Sequence, residues 1–326
     1  MAPRRALLAA LVPGAAFAQA PTAPGFPERP VRIVVPFAAG TSSDLQARLA
    51  GARMAERLGQ PVLVENRAGA GGTLGADAVA KARPDGHTLL LGSNGPLVNN
   101  PVLQPRLPYD AAADFAPVAL LSRSPLTLTV RADSPHRDLA GLLAAARARP
   151  GEIAIGSSGQ GSATHFLIEQ LMAAAGIRLA HVPYRGSSVS VPDLIAGNLP
   201  LVMAELSTVL PTWRGGLTRI LATTGPRRSA LVPDAPTLIE SGFPGLTGAS
   251  WAALVAPAGT PQETVATLAA AARAALEDSA YAARQAELGA ELAEAAERGP
   301  AGLAAFLDNE RARTRVTAER AGIRAE

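Results

Sequence analysis

The chain reads as an α/β protein of two lobes, with mainly parallel sheets around a ligand cleft. Three observations predict this. Short β-branched or leucine-rich runs alternate with helical patterns along most of the sequence, the order that sheets covered by helices on both faces require. The 326 residues exceed what a single hydrophobic core usually serves. The polar clusters fall just after the strand-like runs, where open α/β sheets take their ligands.

The elements follow in order. Val31–Phe37 is the first strand, and it breaks into Ala38, Ala39, Gly40, Thr41, Ser42, Ser43 and Asp44 before a helix over Asp44–Leu58. Leu45, Leu49, Ala52 and Leu58 supply that helix's apolar stripe. Thr41, Ser42, Ser43 and Asp44 are all good N-cap residues, and a helix start offers unpaired N–H groups to an anion. Strands are expected at Val62–Glu65, Thr88–Gly92, Leu126–Val130, Ile153–Ser157, Leu199–Met203, Arg219–Thr223 and Trp251–Ala256. Helices are expected at Thr73–Ala82, Leu139–Ala148, Thr164–Ala175 and Val191–Ala196, and almost throughout from Pro261 onward. The stretch from Asn99 to Val118 carries four prolines and no clear periodicity. With the Pro- and Gly-rich stretch from Pro226 to Gly248, it brackets a middle lobe. The expected division is residues 27–127 with 248–326 as one lobe and 128–247 as the other.

Residues 1–20 read as an export signal. Arg4 and Arg5 precede an apolar run from Ala6 to Phe17, and Ala18-Gln19-Ala20 fits an A-x-A cleavage site. Cleavage removes two arginines and lowers the formal charge from +3 to about +1, leaving little long-range steering of charged partners. Zero cysteines exclude disulfides, thiolate metal sites and a lipid anchor on cysteine. Export without disulfides fits a Gram-negative periplasm. Lys81 is the sole lysine, and no basic cluster is interleaved with aromatics, so nucleic acid is not an expected partner.

Four loops carry the candidate chemistry. Gly69, Gly71 and Gly75 superficially copy a dinucleotide fingerprint, but they follow the second strand rather than the first. No acidic residue stands where the ribose needs one. No cofactor is expected there, and a tight turn lining a cleft is the better reading. The loop Gly156–Ser162 opens the helix that holds Thr164 and His165. Ser162 and His165 invite a nucleophile–base reading, yet no G-x-S-x-G elbow exists and their i,i+3 spacing aligns poorly. His87, His136, His165 and His181 are scattered, without the spacing of metal ligands. Glu205 ends an apolar strand, where it can accept from a ligand or cap the next helix. N–H-rich loops without a catalytic pair favour capture over turnover.

Seven motifs in order make the chain resemble the Bug family, the periplasmic receptors of tripartite tricarboxylate transporters. They are Phe26-Pro27-Glu28-Arg29-Pro30, Val64–Gly72, Leu107–Asp110 with Asp114–Val118, Gly159-x-Gly161-Ser162-x-x-His165, His181–Ser187, Pro233–Thr237 and Ala256–Pro261. The resemblance implies a type II periplasmic-binding-protein fold that closes on one small carboxylate: an amino acid, dicarboxylate, tricarboxylate or aromatic acid. It implies delivery to membrane subunits of a tripartite tricarboxylate-type transporter by a monomeric receptor that is not an enzyme. By position it implicates the loop Ala38–Asp44, Ser93, Asn94, Ser157, Ser158, Gly159, Gly161, Thr164, His165 and Glu205 in ligand binding. Two departures stand out. The first loop has hydroxyls where the family has glycine and proline, and Glu205 replaces the family's aspartate. Presentation of ligand to a sensor kinase, or hydrolysis by Ser162 and His165, are the rival readings.

Overall fold

The computed structural model describes residues 25–104 and 106–321, so the signal read in residues 1–20 lies outside the described residues. The first sheet grows from β1 (Val31–Val35). This strand pairs in parallel with β2 (Val62–Asn66) and β3 (Thr88–Gly92). Helices α1 (Ser42–Leu58) and α2 (Thr73–Ala80) make the crossovers. After β3 the chain enters a π-helical turn over Gly95–Asn99 and the short helix α3 (Asn100–Leu103). These fill part of the proline-rich stretch that has no periodicity of its own.

The next strand, β4 (Phe115–Arg131), is far longer than the Leu126–Val130 segment the sequence marks. It serves both sheets. Up to Pro125 it pairs with β9 (Ala249–Pro257), and from Leu126 it pairs with β7 (Leu201–Glu205) and β8 (Thr218–Thr223). Helix α4 (Leu139–Ala148) leads to β5 (Ala154–Ser157), and α5 (Ala163–Ala175) leads to β6 (Ala180–Pro183). Helix α6 (Ser187–Ala196) precedes β7, and α7 (Leu206–Arg214) follows it. Strand β5 lies parallel to β6 and β7. The chain closes through α8 (Gln262–Glu277), α9 (Ser279–Glu287), β10 (Glu291–Leu292) and α10 (Pro300–Ala321).

The sheets are therefore mixed rather than uniformly parallel. The ordinary crossovers run parallel, whereas β9 lies antiparallel to β3 and β4. The reason is topological: β4 carries the chain out to the second lobe and β9 brings it back. Both faces of each sheet are buried, as covering helices demand. Ile33 and Leu91 face one core with α1 and α8, while Val34 and Leu90 face another with α2 and α10. In the second lobe Leu128 and Met203 pack toward α4 and α5, and Val202 and Ala204 toward α6 and α7. The period of two along each strand produces this division.

Candidate functional site

The carboxyl ends of β1, β3, β5 and β7 converge where the lobes meet. After β1, Thr41 caps α1: its hydroxyl accepts from the Asp44 N–H at 3.4 Å and donates to the Ala38 carbonyl at 2.8 Å. Asp44 is a brace inside the first turn. Its carboxylate accepts from the Gly40 N–H at 2.9 Å and from Asn66 Nδ2 at 3.0 Å, and pairs with Arg48 at 2.9 Å. Burial alone pushes this carboxyl up. The bonds from Arg48, Gly40 and Asn66 together outweigh burial and hold it below the usual carboxylate range. Ser42 reaches the hinge strand, with its Oγ 3.4 Å from Ser124 Oγ.

After β3, Ser93 and Asn94 divide the work. Asn94 staples the strand end to β9, donating to the Ala249 carbonyl and accepting from the Trp251 N–H, both at 3.1 Å. The Ser93 hydroxyl is buried with no hydrogen-bond partner among the described residues. A buried hydroxyl left unpaired costs about 1–3 kcal/mol, which a ligand atom can recover.

The second lobe supplies the opposite wall. Ser162 caps α5 through the His165 N–H at 3.3 Å. Thr164 accepts from the Ser158 N–H at 2.8 Å. His165 Nδ1 accepts from the Gly161 N–H at 3.1 Å, and Nε2 lies 3.5 Å from Glu169. His165 is thus occupied with its own loop and helix, and Ser162 with the helix cap; the nucleophile–base bond is not made. His165 and His181, scattered in the sequence, come together in the fold as a stacked pair, with ring centroids 4.1 Å apart. His181 Nε2 lies 2.6 Å from Ser157 Oγ, which also accepts from the Gly159 N–H. Burial, reinforced by His165, pulls His181 down to about 4.

Glu205 ends β7 with 7% of its surface exposed. Ser187 Oγ donates to one carboxylate oxygen, and Ser158 Oγ lies 3.4 Å from the other. It has no cationic partner among the described residues, and burial pushes its carboxyl up despite those hydroxyls. A raised acid among hydroxyls can donate a proton to a ligand oxygen or accept from a ligand hydroxyl or amine.

These groups enclose a cavity of about 10 Å³, room for about one water. Phe37, Thr41, Ser43 and Ser93 wall it from the first lobe, and Ser158, Ser162, Ala163, Gly186 and Glu205 from the second. Ser250 of β9 completes it. Five predicted residues therefore meet here: Thr41, Ser43, Ser93, Ser158 and Glu205. Ala38, Ala39, Gly40, Ser42, Asp44, Asn94, Ser157, Gly159, Gly161, Thr164 and His165 lie behind the wall, holding its loops or the closure. Beside the five stand Ser162, weighed from the sequence as a nucleophile rather than as a ligand contact, with Gly186 and Ser250, and Phe37 and Ala163 complete the wall. Ser162 and Gly186 stand in the family's motifs, whereas Ser250 joins the site only because β9 crosses it.

The lobes are drawn together over the cavity. Ala38 N–H donates to the Arg185 carbonyl at 3.1 Å, Ser188 Oγ to the Ala39 carbonyl at 3.0 Å, and Asn99 Nδ2 to the Gly161 carbonyl at 3.1 Å. A Cβ at Gly71, which has φ +60°, would overlap the Gln160 carbonyl oxygen across the cleft. That glycine lets two backbones touch.

The family described as "Tripartite tricarboxylate transporter family receptor" (TctC) matches residues 46–321. Protein BugT of Bordetella pertussis is 37% identical over 264 residues, covering 81% of each chain. MatC from Rhodopseudomonas palustris with bound malate superposes with TM-score 0.86 at 36% identity, over 90% of this chain and 99% of MatC. Rpa4515 of the same organism with adipate superposes with TM-score 0.88 at 35% identity, over 93% of this chain and all of that one. The two lobes joined by β4 and β9 are the type II periplasmic-binding-protein fold, and the relatives with this architecture are solute-binding proteins rather than enzymes. The chain belongs to the tripartite tricarboxylate transporter receptor (Bug) family of periplasmic solute-binding proteins.

Proposed function

We propose that the cleft captures a small carboxylate in the periplasm and presents it to the membrane subunits of a tripartite tricarboxylate-type transporter. One observation carries the reading: buried hydroxyls at the starts of α1 and α5 and after β3 face Glu205, and the one after β3, Ser93, is unpaired. No arginine or lysine walls the cavity among the described residues, so neutral donors would hold the anion. N–H groups at two helix starts suit that task. Dicarboxylates come first for testing, because MatC and Rpa4515 were solved with malate and adipate. Lobes of residues 27–127 with 248–326, and of 128–247, accord with the change of partners along β4 at Pro125. Export through a cleaved signal over residues 1–20 accords with the family.

Thermal stabilisation across mono-, di- and tricarboxylates and amino acids is the test. A ligand at about a hundred times its Kd adds roughly 2.7 kcal/mol. Ser93→Ala should raise the ligand-free midpoint, because it removes a buried unpaired hydroxyl, while weakening the response to the best acid about tenfold. A flat panel on protein stripped by refolding would overturn the carboxylate reading.

A further inference from the structure

A second cavity, of about 800 Å³, lies on the other face of the hinge strands. The alternation of side chains along β4 and β9 shows this directly. Ser250 walls the front cavity, whereas its neighbours Ala249 and Trp251 wall the rear one. On β4, Ser124 reaches Ser42 behind the front loop, whereas Arg123 and Pro125 line the rear. The rear cavity is bounded by both lobes: Thr223 to Leu231 from the second, and the α9–β10 turn with α10 from the first. Its size is that of a small-molecule site.

The lining has a definite chemistry. Trp251, Phe306, Pro125 and Leu231 make it largely apolar. The buried Thr223 hydroxyl has no hydrogen-bond partner among the described residues. Of the two carboxylates on the wall, Glu310 is paired with Arg313 at 2.9 Å and Glu291 is exposed on β10. Arg123 and Arg228 pair with Glu297 and Glu240, neither of which lines the cavity. Arg227 has no acidic partner among the described residues. The wall therefore carries apolar and aromatic surface, three arginines already held by carboxylates, and Arg227 as a cation without an acidic partner among the described residues.

We propose that this rear cavity binds an organic anion with an apolar body, and that its occupation favours closure of the front cleft. The coupling is geometric. A rotation about β4 and β9 that parts Ala38 from Arg185 in front brings the α9–β10 turn and the Gly225–Leu231 segment together behind. A molecule spanning both rear walls holds the lobes in the closed arrangement, and by linkage a cleft ligand favours its binding equally.

Anilinonaphthalene sulfonate, an aromatic anion, is the probe, titrated by fluorescence into the purified protein without any cleft acid. Expected are one saturable site and a fall in the radius of gyration by small-angle scattering at saturation. Ala286→Trp, which fills the cavity from an exposed position on α9, and Arg227→Gln, which removes an exposed cation, should each weaken binding at least tenfold. No saturable enhancement, or one that both variants leave intact, overturns the site. Binding with an unchanged radius overturns the coupling. These outcomes are independent of which carboxylate, if any, the front cleft takes.

Discussion

At the scale of single residues, the raised Glu205 carboxyl and the lowered His181 imidazole give the protein opposite pH responses. The folded chain keeps the Glu205 proton above pH 4.5, where the unfolded chain loses it. Its contribution is therefore present at low pH and is lost as pH rises through the folded value. Glu205→Gln should raise the ligand-free midpoint at neutral pH, with the gain vanishing below about pH 4.5; a gain that does not change with pH would mean that Glu205 ionisation is not its cause. The same proton predicts tighter capture of an anion as pH falls, measurable by calorimetry. His181 works the other way. Between pH 6.5 and about 4 the unfolded chain binds a proton that the folded one refuses. Stability falls with pH across that window by at most about 3 kcal/mol, less after solvent screening of the partly exposed ring. His181→Gln should flatten that limb of the melting curve against pH. Sequence inspection picked out Glu205 by its place at a strand end, but a stacked histidine pair formed by residues sixteen apart has no signature in one chain.

At the scale of the element, the helix starts are the most legible features, because capping is a local matter. Thr41 and Ser162 do what their residue types predict, and Thr41→Ala or Ser162→Ala should each cost about 1 kcal/mol in a denaturant melt. Asp44 shows where local reading stops. It is a good cap by type, yet it braces Gly40, Arg48 and Asn66 instead. Asp44→Ala should cost more than Thr41→Ala, since it removes bonds from Gly40, Asn66 and Arg48 at once, each worth about 0.5–1.5 kcal/mol; equal costs would deny the brace. The α1, α4 and α5 spans follow from apolar spacing alone. The length of β4 does not, because Phe115–Arg131 contains two prolines and changes partner midway. Nor does β10, a two-residue strand that exists only through its pairing with Arg123 and Ser122.

At the scale of the whole molecule, function rests on how closely the lobes approach. Gly71 meets Gln160, and Gly161 meets Asn100, with no space for a side-chain carbon at either glycine. Gly71→Ala should leave both lobes folded, at a strain cost on the order of 1 kcal/mol for its positive φ. It should also enlarge the radius of gyration under ligand and weaken binding at least tenfold. Unchanged affinity would mean that closure does not need this contact. The seven ordered motifs carried the family and fold, since each marks a turn or strand end set by local chemistry. The site was legible only in part. Thr41, Ser43, Ser158 and Glu205 could be named from strand ends and Ser93 from the family resemblance, but which hydroxyls wall the cavity and which hold loops depends on the closing angle. The sequence by itself determined the alternating elements, their caps and the glycines at their exits, because these depend on neighbours within a few residues. Tertiary structure alone decided the antiparallel hinge, the stacked histidines, the place of Ser250 and the cavity behind it. Each of these joins segments far apart in the chain, and no local preference encodes that meeting.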